Sequence, residues 1–207
     1  MPRLTEESTY QDACIFAQHI VIAIDCLDQS RAMDKIFSDP EFSSRYKDAP
    51  HFFRTAYHAM RFRFEIEVDK LFDPKSKSFG SFKNRLIQNN MVSSEAAIAY
   101  KNAKQGAQKD LKQIHMRRNK IQAHSDVEAF NNPDVFSDEH PFCWDTVRKL
   151  LICMLNICNQ VIFTYTKEGL SQPYGIGNSD DFVRLSGCET DFDKQNREFL
   201  KSVGIKP

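Results

Sequence analysis

RFRFEIEV, residues Arg61 to Val68, alternates polar and apolar side chains along its whole length. Taken by itself this is the pattern of a strand with one wet face. The flanking residues decide against that. Phe53, Tyr57, Met60, Phe64, Val68 and Leu71 recur at steps of three and four, the spacing that lines one face of a helix. That stripe extends beyond the alternating segment on both sides. Pro50 suits the first turn of such a helix, where its missing N–H leaves nothing unpaired, and Asp73-Pro74 ends it. The segment is therefore helical, and the fold it implies is all-α.

The neighbouring segments agree. Residues 5–8, Thr-Glu-Glu-Ser, supply caps and first-turn acids for an earlier helix. From Ala13 to Ile24 it is apolar on nearly every side, interrupted by Gln18 and His19. A helix apolar all round belongs at the centre, covered by other helices or by a partner subunit. His19 reads as a satisfied core or interface histidine rather than a ligand. The helix should fade near Phe37, before Ser38-Asp39-Pro40. Downstream, residues 81–90 predict a helix of a few turns, stopped by Asn89-Asn90. Ser93 or Ser94 with Glu95 caps a long helix to about Ala123, with Ile98, Ala103, Ala107, Leu111, Ile114 and Ile121 as its stripe. Residues 131–140 read as a loop, and Pro141 as the start of a fifth helix. LLICMLNICNQVIF, residues 150–163, is again apolar on most faces. Gly175-Ile176-Gly177 follows no strand and makes no dinucleotide loop. Residues 191–207 suit one short surface helix. The expected architecture is a bundle of four main helices plus short ones. It forms a single domain over residues 1–207, with 169–207 peripheral.

Composition limits the function classes. A chain of 207 residues is long enough for one well-buried core. Lys plus Arg and Asp plus Glu both number 28, so no global field favours nucleic acid and any such affinity must come from local clustering. Seventeen Phe against seven Gly favours helices packed through large side chains. The six cysteines, at 14, 26, 143, 153, 158 and 188, form no Cys-x-x-Cys pair and read as buried, reduced thiols of a cytosolic protein. The start, MPRLTEESTY, is polar and acidic, which does not fit a signal peptide. No apolar run reaches the roughly 20 residues a bilayer span requires. A cytoplasmic protein without a membrane partner is expected.

Chemistry concentrates in MRRNKIQAHSD, residues 116–126. Arg118 is followed at once by an amide, Asn119; His124 and Asp126 come a few residues later. A guanidinium binds phosphate oxygens as a fork, an amide orients them, and an imidazole moves a proton near neutral pH. On a straight helix Arg118 falls on the apolar stripe of Leu111, Ile114 and Ile121, whereas His124 falls beside Arg117, Lys120 and Gln113. An arginine on an apolar stripe is costly unless a carboxylate or a phosphate meets it. Both partners stay open here: an internal acid such as Asp25, Asp28 or Glu65, or a phosphate. Arg117 is a rival for the same role, being nearly on the face of His124. Between Lys101 and Lys120 lie seven basic residues (Lys101, Lys104, Lys109, Lys112, Arg117, Arg118 and Lys120) against one acid, Asp110. Such a run is ordinarily a solvated face, but here it leads to the motif, as a track along an RNA backbone would. No His, Asp and Glu cluster has metal-ligand spacing, so no metal or cofactor is expected.

RNKIQAHSD, residues 118–126, resembles the signature of the HEPN superfamily: Arg, four to six residues, then His, with a polar residue directly after the Arg. KLFDPKSKSFGSFKNRLI, residues 70–87, resembles a segment of the abortive-infection, AbiU-type branch of that superfamily. The likeness covers roughly residues 13–165. It implies small all-helical two-fold dimers and metal-independent cleavage of RNA, used as a toxin or in phage defence. In that scheme His124 assists attack of a ribose 2′-hydroxyl on the adjacent phosphate, leaving a 2′,3′-cyclic phosphate. Arg118 stabilises the added negative charge, Asn119 orients the phosphate, and Asp126 fixes the imidazole. Arg117 and Lys120 support them, and Lys101, Lys104, Lys109 and Lys112 bind the RNA. The implied partners are RNA, a second copy of the chain, and an antitoxin, either a nucleotidyltransferase or a small protein. The alternative is a non-catalytic HEPN dimer that binds RNA, nucleotide or a partner protein. The Arg-then-amide pattern favours Arg118 as the working arginine, in a pocket at the dimer seam, with Arg117 nearer the surface.

Overall fold

The computed structural model describes residues 6–38, 50–73, 77–123 and 141–166. They form six helices: α1 (Glu6–Phe37), α2 (Pro50–Phe72), α3 (Phe79–Gln88), α4 (Ser94–Gly106), α5 (Gln108–Ala123) and α6 (Trp144–Thr166). Among the described residues there is no strand, and the alternating segment 61–68 lies within α2. The residues read as the loop 131–140, Gly175-Ile176-Gly177, and 191–207 lie outside the described set, as do His124 and Asp126.

The apolar character of α1 is explained by its place. It packs along both α2 and α6, burying Ala13, Ala17, Ile20, Ala23, Ile24 and Leu27. The alanines among them let neighbouring helices approach closely. Facing it, α6 buries Leu150, Leu151, Met154, Ile157, Cys158 and Val161, each burial of such a side chain contributing about 1.5–3 kcal/mol. Contrary to the sequence reading, α6 is long and apolar enough by length and composition to cross a membrane. Half of its most apolar window is nevertheless buried within the fold, as in the core helix of a bundle.

Several ends follow the expected chemistry. Ser93 Oγ accepts a hydrogen bond from the backbone N–H of Ala96 at 3.2 Å, capping α4. After α3, Asn90 takes the left-handed conformation at φ 54°, which asparagine tolerates better than most residues. The short α3 is tied to α1 twice: Asp12 accepts from Lys77 at 2.9 Å and Arg85 at 3.0 Å, and Phe16 meets Phe79 and Phe82 at centroid separations of 5.4 and 4.9 Å. His19 is satisfied as expected but only half-buried, its Nδ1 lying 2.5 Å from the fully buried carboxylate of Glu67.

Three boundaries differ from expectation, the smallest being α3, which begins at Phe79 rather than at residue 81. The single helix expected over 95–123 is broken at Ala107, a buried turn residue between α4 and α5. Gly106, a poor helix former, allows the break, and packing demands it: α4 lies against α6, whereas α5 lies against α2. The ladder is scarcely interrupted, since Ala107 N–H still reaches Ala103 O at 3.0 Å and its carbonyl accepts from Leu111 N–H at 2.9 Å. The last helix starts at Trp144 rather than Pro141. Residues 141–143 are non-helical, and Phe142 and Trp144 pack 4.6 Å apart, each against Phe64.

Candidate functional site

Helix α2 carries three buried acids that a sequence pattern cannot tell from surface charge: Glu65 and Asp69 on one face and Glu67 on nearly the opposite one. Each meets a cation or an imidazole from a neighbouring helix. Two of them, Glu65 and Asp69, face α5 and divide the motif between them.

Asp69 gathers one part. His115, Arg118 and Asn119 stand three and four residues apart and so share a face of α5. His115 Nδ1 lies 2.6 Å from Asp69 Oδ1. Asn119 Nδ2 lies 2.9 Å from His115 Nε2, Arg118 Nη1 donates to Asn119 Oδ1 at 3.0 Å, and Arg118 Nε returns to Asp69 Oδ2 at 3.4 Å. The four side chains thus close a ring. One tautomer satisfies it: Nδ1–H donates to Asp69, and Nε2 accepts from the Asn119 amide. The His115 side chain is 58% exposed and that of Arg118 34%, against 8% for Asp69. Two groups capable of chemistry therefore face outward, on a carboxylate that does not.

Glu65 takes Arg117. Here the structure reverses the expectation: Arg117, not Arg118, is the buried arginine, its side chain 5% exposed with Nε 2.8 Å from Glu65 Oε1. Its guanidinium carbon also stands 5.2 Å over the Phe142 ring. From Ile114 the two arginines fall at about −60° and +40° around the helix, so the apolar stripe alone does not choose between them. Glu65 and Phe142 choose. Burial pushes the Glu65 carboxyl up and the Arg117 guanidinium down, each against the pull of the other's charge. The internal-acid pairing considered for Arg118 is thus realised by Arg117 and Glu65. Of the other acids considered, Asp28 is held by Arg148 through two bonds of 2.8 and 2.9 Å, and burial together with Asp28 pushes the Asp25 carboxyl up.

A groove of about 830 Å³ runs beside the ring, between α2, α3, α4 and α5, and both Asp69 and His115 line it. Its floor is apolar, from Val68, Phe72, Leu111 and Ile114, and its rim carries Lys83, Lys101, Lys104 and Lys112. Lys83 Nζ is 5.3 Å from the Tyr100 ring centroid, and Lys104 Nζ is 5.6 Å from that of Phe72. Partial burial and the Lys104 charge lower the Lys83 pKa. Of the four lysines read as RNA-binding, the groove brings together Lys101, Lys104 and Lys112, while Lys109 is exposed without lining it. Lys120 lies on α5, past the ring.

Sequence reasoning missed Asp69, His115 and Lys83. His115 was discoverable, since it precedes Arg118 by three residues and Asn119 by four on one helix. Asp69 carried no local signal, because its partners sit on another helix. Among the described residues no group of three or more His, Cys, Asp or Glu side chains could hold a metal ion. Comparison with curated proteins and with solved structures returns no significant match. The family AbiU2, of the HEPN type, matches residues 16–185, in keeping with an all-helical fold that brings residues 115–119 together beside a basic groove, and the chain belongs to that family.

Proposed function

We propose that this chain is a metal-independent endoribonuclease of the HEPN type, a toxin or phage-defence effector of abortive infection. The observation that carries the reading is the placement of Arg118 and Asn119 in a hydrogen-bonded ring with His115 and Asp69, beside a groove rimmed by four lysines. The lysines hold an RNA backbone by charge. The Arg118 fork takes the scissile phosphate and stabilises its developing charge, Asn119 orients it, and His124 carries a proton, as the family pattern implies. The protein works in the cytoplasm as a two-fold dimer, with exposed Ile15 and Phe163 on the two most apolar helices available to a second copy. Its activity is held in check by an antitoxin, a nucleotidyltransferase or a small protein.

The test is direct. Purified protein incubated with total RNA in EDTA yields fragments ending in 2′,3′-cyclic phosphate, and Arg118→Ala or His124→Ala abolishes them. Cleavage that requires Mg²⁺, or that survives both substitutions, overturns the mechanism. A second reading, RNA or nucleotide binding without cleavage, has one observation in its favour: the Arg118 guanidinium is already engaged by Asp69 and Asn119. Retained RNA with no fragments in the same experiment selects it.

A further inference from the structure

We propose that His115, held by Asp69, is a further catalytic residue, the base that accepts the proton of the attacking 2′-hydroxyl. The proposal rests on the RNA-cleaving reading above.

Attack of a 2′-hydroxyl on the neighbouring phosphate moves two protons. O2′ loses one as the O2′–P bond forms, and O5′ gains one as the P–O5′ bond breaks. The ring described above is already arranged for the first transfer. With Nδ1–H given to Asp69 Oδ1 at 2.6 Å, the imidazole presents a lone pair at Nε2. That lone pair is capped by the Asn119 amide at 2.9 Å, and the amide oxygen is in turn taken by Arg118. These two capping side chains are the donors a phosphate would claim. When Arg118 and Asn119 turn to phosphate oxygens, Nε2 is released beside the same phosphate.

Exposure fits this division of labour. His115 is open to a ligand in the groove that both residues line, whereas Asp69 is largely covered and holds the imidazole with one oxygen and Arg118 with the other. Asp69 is accordingly a positioning residue. It fixes the tautomer and, once Nε2 has taken the proton, faces an imidazolium with a carboxylate. The proton for O5′ then falls to His124, which the resemblance casts instead as the group assisting the attack.

The experiment uses the full-length protein and two RNA substrates of identical sequence. One has the ordinary 5′-oxygen at the scissile position; the other has a bridging sulfur there, which leaves as a thiolate without needing a proton. His115→Ala is expected to lose about 10²–10⁴-fold in kcat on both substrates, with KM little changed and part of the rate restored by added imidazole. His124→Ala is expected to lose activity on the oxygen substrate and regain it on the sulfur one. Asp69→Asn lowers kcat without abolishing it. His115→Asn, which keeps polar contacts but accepts no proton, should behave as His115→Ala and serves if the alanine variant does not fold. His115→Ala cleaving at the wild-type rate overturns the proposal, as does a His115 deficit that vanishes on the sulfur substrate. A wild-type protein that cleaves neither RNA overturns the ribonuclease reading itself and this inference with it, whereas wild-type cleavage with an indifferent His115 overturns the inference alone.

Discussion

Arg117 and Arg118 are adjacent, chemically identical, and held in opposite ways. Arg117 is buried against Glu65, whose Oε2 has no hydrogen-bond partner among the described residues. A buried pair with one lone pair unmet, and with burial working against both charges, costs about as much to desolvate as its attraction returns. Removing one partner and removing both should therefore differ in sign. Arg117→Met alone is expected to destabilise the fold by about 3–5 kcal/mol, since it strands a buried carboxylate. Glu65→Leu combined with Arg117→Met should restore wild-type stability or exceed it. Urea titration of both variants checks this, and a double variant as unstable as the single one refutes it. The string 116–126 exposed both arginines to view but not which one points inward. They flank Ile114 on either side, and the deciding residue, Glu65, lies on another helix. His115, by contrast, was written in the local spacing and was passed over because the family signature begins at Arg118.

The helices themselves were the most legible part of the chain. The start of α1 among the acids at 6–7, the Pro50 opening of α2, the Ser93 cap and the Asn89-Asn90 stop follow from side chains acting on their own backbone. The decision over 61–68 rested on a stripe longer than the alternation, and the buried acids of α2 explain why the alternation arose. What was not legible is the break between α4 and α5. The apolar stripe from Ala103 to Ile114 runs through it undisturbed, because α6 and α2 take up its two halves in turn, whereas Ile98, read as part of that stripe, is 58% exposed and Tyr100 is buried in its stead. Gly106 closes α4 with no atom from beyond its own stretch of helix within 4 Å of where a Cβ would stand, and its φ is not in the left-handed region. Gly106→Ala should therefore stabilise by about 0.4–1 kcal/mol, by restricting the unfolded chain. A thermal melt reads the gain; a lower midpoint would mean that the break needs the freedom of glycine.

Polar ties as well as apolar contacts make α1 the hub of the fold. Asp12 is gripped by Lys77 and Arg85, Asp28 by Arg148, and Asp34 accepts from the Tyr57 hydroxyl at 2.6 Å. The sequence announced this hub through the length of apolar helix around Ala13–Ile24, and it announced α6 in the same way. The groove it did not announce, because four helices contribute to it and no segment contains it. Against this frame α5 is lightly attached: it packs chiefly along α2 and only marginally on α4 and α6. Its amides should then exchange with deuterium through a local opening that leaves α1, α2 and α6 intact, at a free energy below that of global unfolding. Mass spectrometry of exchanged peptides should find residues 108–119 less protected than 13–27 and 150–162, and equal protection would contradict this. Under the function proposed above, the segment carrying Arg118 is one whose order a bound RNA would raise, so that occupancy of the groove should register as slowed exchange along α5.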